Sequence, residues 1–154
     1  MWGVPAGQDR HVTDAPPLHH RWHLIGLVAL GGAVGTAVRA VLADLAPPVD
    51  GLSWTILVIN VVGAFCLGLL LESLVRLGPD DGRRRTARLF VGTGVLGGFT
   101  TYSTLADDTA RLLTDGRWAA GGGYALLSVV LGVAAVVAGL ALATRVRRRP
   151  GGDR

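Results

Sequence analysis

The stretch Gly97 to Leu105, "GGFTTYSTL", decides how this chain is read. Apolar sequence precedes it from Leu89 to Leu96, interrupted only by Gly92, Thr93 and Gly94. Within it, five consecutive residues carry hydroxyls: Thr100, Thr101, Tyr102, Ser103 and Thr104. Paired glycines and β-branched threonines disfavour a continuous helix, so the pattern predicts a break at Gly97–Gly98. In a bilayer, unwound backbone is tolerated only where it is buried in protein or faces water or an ion. Freed carbonyls suit a hard cation. Freed N–H groups and hydroxyls suit an anion. A glycine-rich helix contact is the competing explanation.

Composition places the stretch in a membrane. Half of the 154 residues are hydrophobic, and the mean hydropathy is +0.45. Charges cluster and leave long uncharged runs, which predicts an integral membrane protein of the all-α class. Four runs are long enough to span: about Trp22 to Leu45, Trp54 to Leu77, Thr86 to Ala106 and Trp118 to Thr144. Trp22, Trp54 and Trp118 each stand at the start of a run, where indoles prefer the headgroup level. Residues 1–21 read as a disordered tail without the apolar segment of a secretory signal. Residues 22–144 read as the transmembrane domain and 145–154 as a basic cytoplasmic tail. His11, His19, His20 and His23 lack the cysteines or spaced carboxylates of a metal site. Cys66, the single cysteine, reads as a small buried hydrophobe.

All fifteen basic residues are arginine. Twelve fall on one side: Arg10 and Arg21, then Arg76, Arg83, Arg84, Arg85 and Arg88, then Arg145, Arg147, Arg148, Arg149 and Arg154. Only Arg111 and Arg117 fall on the other, in what reads as the loop "DDTARLLTDGR". This bias predicts both termini in the cytoplasm, and the net charge of +4 becomes a topology signal rather than a nucleic-acid footprint.

Polar groups inside the spans are few. Asn60 lies deep in the second, and its amide either bonds a neighbouring helix or faces an anion. Arg39, in the later half of the first, either faces protein or water or snorkels to the interface. Tyr124, Ser128 and Gly132 share one face of the fourth, although serine often bonds its own helix backbone. Gly31 and Gly35, like Gly94 and Gly98, are four apart, a spacing that lets helices approach closely.

The motifs "GGAVGTAVR" (31–39), "VINVVGAFCLG" (58–68) and "GGFTTYST" (97–104), one in each of the first three spans, resemble the CrcB/Fluc family of fluoride ion channels. The resemblance covers about Gly26 to Leu140. It implies four-helix subunits paired as an antiparallel dimer with two pores in the cell membrane. It implies passive export of fluoride, which enters cells as neutral HF and is trapped as the ion. It implies a structural, non-transported sodium ion, held by the Gly97 and Thr100 carbonyls of both subunits. It also implies pore or anion-facing roles for Asn60, Thr101, Tyr102, Ser103, Tyr124 and Ser128, with Arg39 ending the first motif and Asp108 as a vestibule carboxylate. Where the family usually has two phenylalanines, this chain has Tyr102 and Leu105, and an aliphatic Leu105 offers no polarised ring edge to an anion.

The one-sided arginine predicts insertion in a single orientation, which suits pairing with a homologous second subunit of opposite bias over pairing with itself. Proton-coupled export of the small multidrug-resistance type needs a carboxylate deep in the membrane, and the nearest, Glu72, is close to a span end. A non-transporting adaptor leaves the hydroxyl-rich break without purpose. No nucleophile–base pair or catalytic metal cluster points to an enzyme.

Overall fold

A computed structural model describes residues 22–146. The tail expected over 1–21, and the arginines beyond Val146, lie outside the described residues. Helix α1 runs Trp22–Leu45 and α2 runs Trp54–Leu77, the bounds expected from hydropathy. The third element is interrupted. Its first part, α3a (82–99), joins an opening turn at Gly82–Ala87, wide i→i+5 turns over Arg88–Leu96, and a last turn at Gly97–Phe99. Residues 100–102 are not helical. The second part, α3b, runs Ser103–Thr114. Helix α4 runs Trp118–Val146. Helices α1, α2 and α4 are each long and apolar enough to cross a bilayer. The chain is an all-α, multi-pass membrane protein with a broken third helix.

Two sequence expectations need correction. The glycine pair predicts a break at Gly97–Gly98, but Gly97 is helical (φ −64°, ψ −37°) and the chain first becomes extended at Thr100 (φ −82°, ψ 153°). The charges of segment 107–117 predict a loop carrying Arg111, but α3b continues through it to Thr114. Leu105, Asp108 and Leu112 all point inward from one helical face. A Schellman motif then stops the helix. Gly116 sits at φ +76°, its N–H reaches Leu113 O at 3.1 Å and the Arg117 N–H reaches Leu112 O at 2.8 Å. The other connection at this end is equally tight. Asp50 and Gly51 both have positive φ, as a type I′ turn requires, and Val49 and Leu52 exchange main-chain hydrogen bonds of 3.1 and 3.0 Å.

The helices pack in two pairs: α2 lies along α4, α1 lies along α3a, and α1 barely meets α2. The α1–α3a seam is where small residues are needed. Gly31 and Gly35 are its buried residues on α1, facing Gly94, Val95 and Phe99. A Cβ on Gly35 would stand 2.8 Å from the Phe99 nitrogen, and one on Gly98 would run into the main chain of Gly32, with its carbonyl carbon and Cα both at 3.0 Å. Gly98 is therefore a close-approach residue rather than a hinge. This seam presses α3a against α1 up to the residue before the break.

Candidate functional site: the break in the third helix

The break follows from where its donors go. In a continuous helix the Thr101 N–H would bond Gly97 O. Here it donates instead to Asn60 Oδ1 at 2.8 Å. The Asn60 Nδ2 donates back to Thr101 O, also at 2.8 Å. One amide on α2 thus satisfies both main-chain groups of Thr101, which resolves the choice left open for Asn60 toward a neighbouring backbone. On the other side, Gly98 O loses its helical donor and accepts from Arg39 Nε at 3.2 Å and from Thr36 Oγ1 at 3.4 Å. Arg39 is part-buried and turned onto α3a rather than extended to the interface. Thr100 keeps two bonds to the preceding turn, from its N–H (3.0 Å) and its Oγ1 (2.9 Å), both to Leu96 O.

The remaining groups form two sets of opposite polarity. Among the described residues no donor reaches the Gly97, Phe99 or Thr100 carbonyls. After the break, the first turn of α3b carries N–H groups that no helix can satisfy internally. The Thr101 and Ser103 hydroxyls lie beside it, bonded to each other at 2.9 Å. Carbonyl oxygens on one side are a fit for a hard cation such as sodium. Amides and hydroxyls on the other are a fit for a small anion. Gly97 and Thr100 from the first set and Thr101 from the second line a groove of about 670 Å³, whose wall also includes Asn60, Tyr102 and Leu105; Ser103 reaches it only through its bond to Thr101. Leu67, Leu96 and Val136 give it an apolar flank. Tyr102 projects into the open, 79 % exposed.

Other expected site residues are engaged in the core or by their own helix. Leu105 touches the groove, but its side chain is packed with Leu57 and Tyr124 in the core. Tyr124 is 3 % exposed, and its hydroxyl donates to Ser53 O at 3.1 Å. Asp108, 8 % exposed, accepts the Ser53 N–H at 3.2 Å. Ser53 is thus held at both main-chain groups where α2 begins. Ser128 bonds Tyr124 O in its own helix at 2.8 Å and is not among the groove residues. Sequence reasoning missed Thr36, Ser53 and Gly63. Gly63 faces the Thr100 methyl so closely that a Cβ would displace it. Its place one turn after Asn60 was the available signal.

The Ser53 knot yields a stability prediction. Asp108→Ala strips a buried N–H of its acceptor and is expected to cost about 1–3 kcal/mol. Tyr124→Phe removes one neutral hydrogen bond and is expected to cost about 1 kcal/mol. Thermal unfolding followed by tryptophan fluorescence is a direct check, since Trp54 meets the Tyr124 ring edge-on with centroids 6.3 Å apart.

Comparison with known proteins identifies relatives along most of the chain. Residues 26–140 match the family described as "CrcB-like protein, Camphor Resistance (CrcB)". The chain is 51% identical over 135 residues to "Fluoride-specific ion channel FluC 2" of Leifsonia xyli subsp. xyli, covering 88% of this chain and 93% of that one. It is 51% identical over 116 residues to "Fluoride-specific ion channel FluC 1" of Cutibacterium acnes, covering 75% and 81%. It is 41% identical over 119 residues to "Fluoride-specific ion channel FluC" of Roseiflexus sp., covering 75% and 93%.

Proposed function

The chain belongs to the CrcB-like family, and from that premise we propose that it is a fluoride-specific ion channel subunit that lets fluoride leave the cytoplasm passively across the cell membrane. The observation that carries the reading is the Asn60 clasp on Thr101. It holds open a break that presents amides and hydroxyls to a groove inside a membrane protein. Fluoride is small and strongly hydrated, so a pore must replace its water with donors. Thr101, Ser103 and the first amides of α3b supply such donors. The exposed Tyr102 adds a hydroxyl and a polarised ring edge. Asn60 and Arg39 act as positioning residues, since their polar atoms are engaged by the main chain.

Sodium fits the opposite wall. Gly97 and Thr100 would hold it through their carbonyls, and it would supply a fixed positive charge that locks the break. One subunit offers only two such oxygens, too few to enclose a hard cation. The open groove and the unpaired carbonyls support assembly with a second subunit that completes both the ion's shell and the pore. Antiparallel pairing would place two such breaks together. The arginine bias supports a homologous second subunit rather than an identical one, with both termini of this chain cytoplasmic.

The deciding experiment is fluoride efflux from liposomes, followed with a fluoride electrode. The chain is reconstituted alone and together with a second CrcB-like subunit from the same source. Efflux of fluoride but not chloride from the paired sample is expected. No fluoride efflux in either sample would overturn the function. Fast selective efflux from the chain alone would overturn the unequal pair and leave the function standing. Exchanging sodium for a large organic cation during purification is expected to lower the melting temperature of the assembly, because a ligand bound only to the folded form stabilises it by mass action.

A further inference from the structure

Four arginines crowd the start of α3a, and they are not equivalent. Arg88 pairs with Asp80 at 2.6 Å. Arg84 pairs with Asp81 at 3.7 Å and bonds Leu77 O. Both hold the turn between α2 and α3a. Arg83 and Arg85 have no carboxylate partner among the described residues, and the buried Arg85 Nε has no hydrogen-bond partner there either. Topology alone would explain four arginines on one side of the membrane. It does not explain why the two unpaired ones share one hollow. Arg83 and Arg85 line a cup of about 440 Å³ with His23, Leu24, Gly82 and Thr86. Arg83 and Thr86 also line a second hollow of about 430 Å³, whose other walls are Leu27, Ala87 and Phe90. The two hollows therefore adjoin, with Arg83 and Thr86 between them. A basic cup, at the end where α1 begins, opens onto an apolar groove running into the α1–α3a seam.

We propose that this end of the α1–α3a seam binds one anionic phospholipid, its phosphate headgroup in the cup of Arg83, Arg85 and His23 and an acyl chain in the groove of Leu27, Ala87 and Phe90. A basic cup between transmembrane helices, at headgroup level, has the charge and position for a lipid phosphate. Guanidinium groups match phosphate with two parallel hydrogen bonds each. The buried, unpartnered Arg85 nitrogen gains from an anion brought alongside its guanidinium. The apolar groove gives the acyl chain a wall that a free phosphate would not use. None of these residues borders the break, so lipid binding here is separate from fluoride transport.

The test measures lipid retention by native mass spectrometry on the full-length chain in detergent. The probes are phosphatidylglycerol, phosphatidylcholine and soluble glycerol 3-phosphate. Phosphatidylglycerol is expected to be retained roughly tenfold or more over phosphatidylcholine, with each of Arg83→Gln and Arg85→Gln weakening it about fivefold. Arg111→Gln, which removes an exposed pair with Asp107 on α3b, is expected to change nothing. Equal retention of the two lipids by the unaltered chain would overturn the proposal whether or not the variants fold. So would retention that ignores both substitutions. Glycerol 3-phosphate competing as strongly as the lipid would show a phosphate site without a chain groove, and would overturn it too.

Discussion

Replacing Asn60 with leucine is expected to cut fluoride efflux by at least about a hundredfold, the scale of losing a precisely placed group. The reason is a competition for one proton donor. The Thr101 N–H goes to Asn60 Oδ1 at 2.8 Å. Without that acceptor its nearest alternative is Gly97 O, its ordinary helical partner. The helix then gains a turn at the expense of the break. Each residue added to a helix rotates the next side chain by about 100° around the axis, so Thr101 and Tyr102 would leave the groove wall, and the Ser103 hydroxyl bonded to Thr101 would move with them. Thr101 is half-buried, so water recovers part of the loss, and the stability cost is expected at about 1–3 kcal/mol. Asn60→Asp sharpens the test. It keeps the acceptor for the Thr101 N–H but loses the donor to Thr101 O and brings a negative charge to an anion's route. It is expected to fold better than Asn60→Leu and to conduct no better. Unchanged efflux in Asn60→Leu would show that the clasp does not hold the break.

The second large effect is expected from a single methyl group on the α1–α3a seam. Gly98→Ala places Cβ against the Gly32 main chain, which cannot rotate away as a side chain would. The helices must separate, and overpacking of this kind costs about 1–3 kcal/mol. The functional loss is expected to exceed that figure, because Gly98 O accepts from Arg39 and Thr36 across the same seam. Moving α1 away releases both donors and frees the α3a end of the break. Gly26→Ala is the matched control. It lies on α1, the facing helix of the same seam, with nothing within 4 Å of the added carbon, and it is expected to be neutral or slightly stabilising. Assembly on a sizing column and efflux read the two effects separately. Wild-type assembly and efflux in Gly98→Ala would contradict the close approach described for the seam.

Much of the fold was legible because a bilayer imposes simple arithmetic. Hydropathy and the leading tryptophans locate α1 and α2 at their observed bounds. The third element is harder. Glycine ordinarily loosens helices, whereas Gly98 serves contact with α1, and the unwinding falls three residues beyond Gly97 at Thr100. Charged Asp107, Asp108 and Arg111 suggest a loop, but Leu105, Asp108 and Leu112 share the inward face of α3b. The wide turns over Arg88–Leu96 have no signal we can name in the sequence. At the site, residue types are readable and partners are not. Asn60 and Thr101 are 41 positions apart, and Arg39 and Gly98 are 59 apart. Only packing decides such pairings. It also assigns Asp108 and Tyr124 to the Ser53 knot, a meeting of three elements that no periodicity within one helix can announce.

The carbonyls around the break are sorted by subtraction. Gly98 and Thr101 spend their oxygens on Arg39 and Asn60, and Gly97 and Thr100, one residue before each, keep theirs. Each subunit in the proposed assembly thus contributes an incomplete coordination shell. With sodium as the shared ion of that proposal, ion binding and subunit association would become a single thermodynamic event, written as one equilibrium with sodium as a reactant. Over the range where the ion is not saturating, the dissociation constant of the pair should fall in inverse proportion to sodium concentration. A slope of minus one on logarithmic axes corresponds to one shared ion. A channel built this way is assembled most firmly where sodium is abundant, and external sodium would act on how long two subunits stay together rather than on the anion that passes between them.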